Sequence, residues 1–302
     1  MSSDPDLRSL LAAKARLGTS ISVCLPARDE EATIGPIVAS VHDHLVERVG
    51  LVDEIVVLDD GSSDATAEVA ARAGARVLAV TDVLPELAPG SGKGNALWKS
   101  LYACEGELLC WLDADVRNFE HHFVTRLLAP LLADADVGFV KGYYRRPLNG
   151  EAIGGGRVTE LTARPLLAVL FPHLTRFVQP LAGEYAGRRE LLETVPFVEG
   201  YGVEIGLLVD LVARYGARAV TQADLGVREH RNRPLDELGP QALAVLVAAL
   251  RRAGVAVDGP LVELVRFDAD VSPERVAVEV RERPPMIAVP AYRAKFGREL
   301  SA

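Results

Sequence analysis

Short apolar runs alternate with helical patterns along the first part of the chain. Residues 21–27 and 54–58 are apolar at all but one position each, which predicts strands that are buried on both faces. Between these runs, apolar residues recur at helical spacing at Ile34, Ile37, Val38 and Val41. The alternation continues with predicted helices at 64–73 and 95–103 and predicted strands at 76–80 and 107–112. This order predicts an α/β fold with a mostly parallel sheet flanked by helices.

The pattern changes after residue 136. Residues 137–144 predict another strand, 145–159 form a glycine-rich basic connection, and helical periodicity returns at 160–170, after Gly187, at 203–215 and at 235–253. We expect an N-terminal helical segment (1–20), two halves of one domain (21–144 and 145–258) and a C-terminal extension (259–302). The extension contains several prolines and is expected to pack on the body of the protein or on a partner chain.

The composition narrows the range of functions. With 302 residues and 49% hydrophobic side chains, the chain can bury a sizeable core. Its net charge of −9 argues against nucleic acid and anionic lipid as partners, so a phosphorylated ligand would need a local basic site. No apolar run reaches the ~18 residues of a membrane-spanning helix. The three cysteines lack the spacing of a metal site. We therefore expect a cytoplasmic protein with buried thiols and no membrane contact.

Acidic residues follow the predicted strands at the points where these end. Ligands bind beyond the carboxyl ends of parallel strands, and three unusual loops fall there, at 26–31, 59–64 and 113–115. Asp113 and Asp115, separated by Ala114, would project from the end of a buried strand, and their hard oxygen ligands suit Mg²⁺ or Mn²⁺. Such a cation would neutralise the charge that grows on a departing nucleoside diphosphate. The alternative is an acidic turn that is solvated or caps a helix.

Two further loops have features of a nucleotide site. Asp60, at the end of the second strand, could accept hydrogen bonds from a base or a ribose. The glycine-rich loop at 89–95 lacks the phosphate-loop pattern, so a nucleoside-triphosphate hydrolase is not expected. Its Lys93 is expected to reach a diphosphate, and a solvent-facing lysine is the alternative.

These loops, taken in order, resemble those of the family-2-like glycosyltransferases of the A-type fold. The first strand ends in Pro26, Ala27, Arg28, Asp29, Glu30 and Glu31, then come the acidic turn and the D-x-D. The resemblance implies a Rossmann-like sheet and a nucleotide-sugar ligand, which the first half of the domain would bind.

Four motifs in the second half are more specific. They lie at 154–161, 179–186, 200–206 and 226–235, with a faint echo at 283–286. As a set they resemble the glucosyl-3-phosphoglycerate synthases and the closely related mannosyl-3-phosphoglycerate synthases. The resemblance covers about residues 21–238. It implies a retaining enzyme that moves glucose from a nucleoside-diphosphate glucose to the 2-hydroxyl of 3-phosphoglycerate, with mannose from GDP-mannose as the alternative.

The acceptor is expected to bind in the second half of the domain. Three successive glycines ending at Gly156, together with Arg157 and the hydroxyl of Thr159, would make a compact anion receptor at a helix start. By resemblance, Asn232 also faces the acceptor.

The metal and donor contacts follow mainly from the resemblance. It pairs His230 with Asp115 on the metal and turns Arg228 towards the donor phosphates. Glu204 could orient the sugar or the acceptor hydroxyl, although a helix-terminal acid is the alternative. We expect catalytic roles for Asp115, Glu204 and Arg228. The expected donor-binding residues are Pro26, Ala27, Arg28, Glu30, Asp60, Lys93, Asp113, Ala114, Asp115, Leu181, Tyr201, Glu204 and Arg228.

Several questions stay open at this level. Arg28 and Asp29 depart from the usual apolar residue and asparagine, and Asp60 stands where relatives carry serine, so UDP-glucose, GDP-glucose and GDP-mannose remain candidate donors. The rival functions are a polyprenyl-phosphate glycosyltransferase, a sugar-nucleotidyltransferase and a non-catalytic sugar-nucleotide sensor. The sequence shows no clearly placed carboxylate nucleophile, which favours attack on the same face as the departing phosphate. The resemblance also suggests a homodimer.

Overall fold

The computed structural model describes residues 4–148, 151–154, 156–229, 235–267 and 270–299. Two site residues expected from the sequence, His230 and Asn232, lie outside these ranges. Only the backbone is described for 147–148, 151–154 and 235–236.

A seven-stranded sheet organises the fold, in the order β10-β5-β8-β4-β1-β2-β3. Its β1, β2, β3 and β4 are parallel to one another, β5 is parallel to β10, and β8 runs antiparallel to both of its neighbours. The strands are β1 (Ile21–Ala27), β2 (Glu54–Asp59), β3 (Arg76–Ala79), β4 (Leu108–Trp111), β5 (Phe139–Arg145), β8 (Tyr185–Arg188) and β10 (Val220–Val227). Short pairs outside this sheet are β6 (Pro147–Leu148) with β7 (Glu151–Gly154), and β9 (Phe197–Val198) with β13 (Glu282–Arg283).

Helices cover both faces of the sheet, as the apolar runs predict. They are α1 (Leu7–Leu17), α2 (Glu31–Val41), α3 (Thr66–Arg72), α4 (Gly92–Ala103), α5 (His122–Ala133), α6 (Arg164–Leu170), α7 (Arg189–Leu192), α8 (Val203–Tyr215), α9 (Leu235–Arg252) and α10 (Pro290–Phe296). Alternate residues of β1 enter two separate cores, with Val23 and Leu25 in one and Cys24 in the other. This explains why β1 has no polar face, and it confirms the predicted α/β class.

Strand β8 and helix α5 were not predicted from the sequence. Strand β8 is four residues long and includes Gly187, so it has no readable alternation, and its place is set by pairing with β4 and β5. Helix α5 has buried positions at helical spacing, but Pro130 lies inside it and is usually a helix-breaking signal. The helical segment expected after Gly187 shrinks to the four residues of α7.

The C-terminal extension packs on the body of the protein. Its hairpin of β11 (Leu261–Phe267) and β12 (Pro273–Glu279) places Val278 in a small core with residues of α9. After it, β13 pairs with β9, and Tyr292 of α10 is fully buried. The sequence pattern predicts only short apolar pieces here, because the hairpin alternates apolar and charged residues with one face left open.

The described helices and the three cysteines bear on the expected absence of membrane contact and of disulfides. No helix in the described part of the chain combines the length and the apolar composition that crossing a bilayer requires. Cys24, Cys104 and Cys110 are all buried and unbridged, as predicted.

Candidate active site

A cavity of about 500 Å³ opens at the carboxyl edge of the parallel strands. The site residues expected from the sequence that lie in the described ranges all line it: Pro26, Ala27, Arg28, Glu30, Asp60, Lys93, Asp113, Ala114, Asp115, Gly156, Arg157, Thr159, Leu181, Tyr201, Glu204 and Arg228. Loops from distant parts of the chain meet there because β1, β2, β4, β5 and β10 end on the same edge.

Lys93 joins two carboxylates at the floor of the cavity. Its Nζ lies 2.5 Å from Oδ1 of Asp113 and 2.7 Å from Oε1 of Glu204. The sequence suggests a flexible loop for Lys93, but the residue belongs to the first turn of α4, which begins at Gly92. Burial alone would lower the pKa of Lys93, yet the two carboxylates outweigh it and hold that pKa well above its ordinary value.

Arg228, one residue beyond β10, binds the D-x-D motif. Its Nη2 donates to Oδ2 of Asp113 at 2.7 Å and to Oδ1 of Asp115 at 2.8 Å. Burial would raise the pKa of Asp113, but Lys93 and Arg228 outweigh it, and the pKa lies below its ordinary value. Asp113 therefore stays ionised and engaged with two cations, so the two acids of the motif differ in role.

Glu184 is a site residue that sequence reasoning missed. It lies just before β8, and its Oε1 is 2.8 Å from Nε of Arg228. Because β8 is antiparallel, its first residues reach the edge where the parallel strands end. At the preceding residue, a Cβ on Gly183 would lie 2.3 Å from the carboxylate of Asp113, so glycine is required there. The motif at 179–186 was the available signal.

One acid of this network remains open to a divalent cation. Two cations, Lys93 and Arg228, face four carboxylates, those of Asp113, Asp115, Glu184 and Glu204. Asp115 contributes a carboxylate that is 29% exposed and lines the cavity. Within the described ranges, which exclude His230, no cluster of three or more metal-ligating side chains occurs. The described residues thus supply one open oxygen ligand, and a diphosphate would add further oxygens.

One part of the cavity lining suits a nucleoside. Asp60 lies there with Arg28 and Glu30, and burial raises the pKa of Asp60, opposed by Arg28. The adjacent loop is rigid, because the backbone N–H of Glu30 donates to Oγ1 of Thr66 at 2.8 Å and that of Ser63 donates to Oδ1 of Asp29 at 2.7 Å.

A helix start and two arginines also line the cavity. Gly156 has φ +78°, and the chain turns helical at Arg157. A Cβ at Gly156 would lie 3.6 Å from Nη1 of Arg146 and 3.7 Å from Oγ1 of Thr159. Arg146 is therefore a second cation beside the predicted anion receptor. The basic pair Arg145 and Arg146 signals it in the sequence, but a solvated face is an equal reading at that level.

Lys141 is a second residue that sequence reasoning missed. It lies on β5, is 1% exposed, and donates from Nζ to the carbonyl oxygen of Ala182 at 2.8 Å. Burial lowers its pKa to about 7, although Glu204 pulls in the other direction. It supports the segment that carries Leu181 into the cavity. The sequence gives no sign of this role, because Lys141 lies within a predicted strand and belongs to no motif.

Comparisons with known proteins agree with this geometry. Residues 22–183 match the glycosyl transferase family 2 model. The glucosyl-3-phosphoglycerate synthase of Mycolicibacterium paratuberculosis is 51% identical, over 91% of this chain and 86% of that protein. The chain belongs to the glucosyl-3-phosphoglycerate synthase family. The synthase of Petrotoga mobilis is 40% identical, over 97% of this chain and 94% of that protein.

A solved structure extends the agreement to the fold. The glucosyl-3-phosphoglycerate synthase of Mycobacterium tuberculosis, in complex with Mn²⁺, UDP-glucose and phosphoglyceric acid, superposes with a TM-score of 0.86 at 45% identity. The match covers 95% of this chain and 96% of that one. The predicted glycosyltransferase A-type fold is therefore confirmed for this synthase family member.

Proposed function

We propose that this enzyme transfers glucose from UDP-glucose to the 2-hydroxyl of 3-phosphoglycerate, giving glucosyl-3-phosphoglycerate and UDP. The observation that carries the proposal is the division of one cavity between two kinds of surface. Its lining includes Asp60 and the Asp115 carboxylate, which suit the donor, and Arg146, Arg157 and the helix start after Gly156, which suit an anionic acceptor. The family relationship supports glucose over mannose.

On the donor side, Asp60 and the 26–30 loop would hold the nucleoside. Asp115, with His230, would hold a divalent cation, which supplies neutralisation of the leaving diphosphate when bound. Lys93 and Arg228 are placed to receive phosphate oxygens, since both are held against Asp113. Leu181 and Tyr201 would shape the sugar pocket between the two sides.

On the acceptor side, a phosphate and a carboxylate on one small molecule need several donors close together. Arg157, the hydroxyl of Thr159 and the backbone at Gly156 would provide them, with Asn232 as a further contact and Arg146 adding positive charge. This assignment places the acceptor in the half of the domain formed by 145–258 and the nucleotide in 21–144.

The transfer is proposed to occur on one face of the sugar. The anomeric carbon loses its bond to the phosphate oxygen and gains one to the acceptor's 2-hydroxyl oxygen, whose proton passes to the leaving phosphate. Asp113 and Glu204 are both held by Lys93, which argues against either acting as a free nucleophile. Glu204 would instead orient the sugar hydroxyls. Isolation of a glucosylated Asp113 or Glu204 by mass spectrometry would refute this step.

Two wider properties belong to the proposal. A homodimer is supported by the open face of the β11–β12 hairpin, where Leu261, Val265 and Phe267 are 56%, 44% and 64% exposed. A cytoplasmic location is supported by the three unbridged thiols. Light scattering on the wild type and on Phe267→Asp tests the first, since only the variant should be monomeric.

The deciding experiment supplies purified enzyme with 3-phosphoglycerate and UDP-glucose, GDP-glucose or GDP-mannose in turn. Each is run with Mg²⁺, with Mn²⁺ and with a chelator, and products are identified by mass spectrometry. Glucosyl-3-phosphoglycerate should form with metal present and should fail to form with the chelator. Transfer to other acceptors, with none to 3-phosphoglycerate, would reject the proposal.

A further inference from the structure

Arg283, in the C-terminal extension, forms a buried polar cluster with two residues of the body. Its Nε lies 2.6 Å from Oε1 of Glu199 and 3.0 Å from Oδ1 of Asn95. Glu199 and Asn95 are 0% exposed, and Arg283 is 6% exposed. A charged cluster at this depth is costly to desolvate, and removing one partner would leave an uncompensated buried charge.

The cluster lies directly under the segment that leads to Lys93. A Cβ added at Gly90 would lie 1.9 Å from Nη2 of Arg283, 2.3 Å from Oε1 of Glu199 and 2.6 Å from Oδ1 of Asn95. The backbone at Gly90 therefore rests on all three side chains. Gly94, on the other side of Lys93, is equally confined, because a Cβ there would lie 1.8 Å from the carbonyl oxygen of Val198.

The extension holds this segment at two further points. Oγ of Ser91 donates to Oε2 of Glu279 at 2.6 Å, and Nη1 of Arg281 donates to the carbonyl oxygen of Pro89 at 3.2 Å. The extension itself is tied to the body by pairing of β13 with β9 and by the indole N–H of Trp98, which donates to the carbonyl oxygen of Pro284 at 2.7 Å. Three residues just before Lys93, namely Pro89, Gly90 and Ser91, are thus held by residues of the C-terminal extension.

We infer that Arg283 is a positioning residue for the donor site, which sets the location of Lys93 through Gly90. The inference rests on the proposed function, in which Lys93 receives the donor's diphosphate. Displacement of a positioned cation by about 1 Å can cost on the order of 100-fold in rate. The proposed acceptor contacts, at Gly156, Arg157 and Thr159, belong to a different segment of the chain.

The test compares Arg283→Gln and Gly90→Ala with the wild type. Both should lower UDP affinity, measured by calorimetry, and kcat for glucose transfer by about tenfold or more. The KM for 3-phosphoglycerate should stay within about twofold, and Arg283→Lys should recover part of the loss. Gly90→Ala removes no buried charge, so it keeps the test valid if Arg283→Gln does not fold. Glu279→Gln, which weakens the more exposed contact with Ser91, should lower UDP affinity and kcat in the same way but by less.

Arg298→Gln is the matched control. Arg298 also lies in the C-terminal extension and pairs with two acids, Glu193 and Glu107, but it makes no contact with the 89–93 segment among its described bonds. It should lower the melting temperature without changing UDP affinity or kcat.

A double variant separates positioning from general structure. In a Lys93→Ala background, Arg283→Gln should cause no further loss of UDP affinity, because its effect passes through Lys93. Full additivity, or folded single variants with wild-type UDP affinity and kcat, would overturn the inference. A wild type that binds UDP but transfers no glucose would reject the proposed function alone, and the affinity measurements would still decide the role of Arg283.

Discussion

Oε1 of Glu184 forms an ion pair with Nε of Arg228 at 2.8 Å, and the two side chains are 1% and 3% exposed. Burial raises the pKa of Glu184, opposed by Arg228, whose own pKa is held well above its ordinary value by the surrounding acids despite burial. The pair fixes one side of the guanidinium so that Nη2 can reach both acids of the D-x-D motif.

Glu184→Gln should therefore impair both stability and catalysis. The amide keeps the shape but removes the charge that faces Arg228, so unfolding in urea should show a loss of about 1–3 kcal/mol. The kcat should fall by about tenfold, because Arg228 loses its orientation. Asp210→Asn, which weakens the Asp210–Arg252 pair outside the cavity, should cost stability alone. A stable, fully active Glu184→Gln enzyme would contradict this account.

The proposed division of the cavity predicts a selective defect for Arg157→Ala. Loss of a charged hydrogen bond to the acceptor should raise the KM for 3-phosphoglycerate by about ten- to a hundredfold. The KM for UDP-glucose should change by less than about twofold, since no donor contact is assigned to this residue. Steady-state kinetics with each substrate varied checks the prediction. Arg164→Ala, which removes an arginine paired with Glu160, is the control, and equal losses for both substrates would count against the division.

Asp60 should influence which nucleotide is preferred. A carboxylate can accept from both the N1–H and the amino group of guanine, whereas uracil offers a single N3–H donor. Asp60→Ser should therefore lower kcat/KM for GDP-glucose more than for UDP-glucose, by about tenfold in the ratio. Competition between the two donors measures this ratio directly. An unchanged ratio would place Asp60 away from the base.

Lys141 should make stability depend on pH above neutrality. Its folded pKa of about 7 lies below the 10.5 of an unfolded lysine, mainly because of burial, with Lys93 acting in the same direction and Glu204, Glu184 and Asp113 against it. Between these two values the unfolded state binds more protons, so this group's contribution to stability rises with pH, by at most about 1.4 kcal/mol per unit.

Lys141→Met should remove that contribution. Urea unfolding at pH 6, 7, 8 and 9 should show the stability of the wild type gaining on that of the variant from about pH 7 upwards, with a constant difference below pH 7. Parallel profiles over the whole range would show that Lys141 keeps an ordinary pKa in the folded protein.

Much of the first half of the fold could be predicted because it depends on local signals. Strand β1 matches its predicted bounds, and α2 buries the four residues that the helical spacing selects. Strand β8 could not be predicted, because its position follows from pairing with β4 and β5 rather than from its own residues. The β11–β12 hairpin was missed for a related reason, since its partner surface is α9.

The candidate site shows a similar difference between residues that belong to sequence motifs and residues whose role depends on tertiary contacts. Residues within recognisable motifs, such as Asp115 and Arg157, were found from the sequence and line the cavity. Glu184 and Lys141 were missed, because the role of a buried charge depends on the partners that the fold places around it, and these partners are distant in sequence. Glu204 is a further case: at the sequence level a helix-terminal acid is the alternative, whereas the side chain is 6% exposed and paired with Lys93.

Strand β8 follows β4 and β5 in the sequence but lies between them in the sheet, which affects folding during synthesis. Strands β4 and β5 have no direct pairing with each other in the finished sheet, and the four residues that join them come after residue 184. A nascent chain released from the ribosome only to residue 183 would leave β4 without one of its partner strands and β5 without both, and it would lack both Glu184 and Arg228. The central sheet and the charged network are therefore completed by the same stretch of chain. A fragment limited to the region matched by the family model should aggregate rather than fold, because its strand edges stay unpaired.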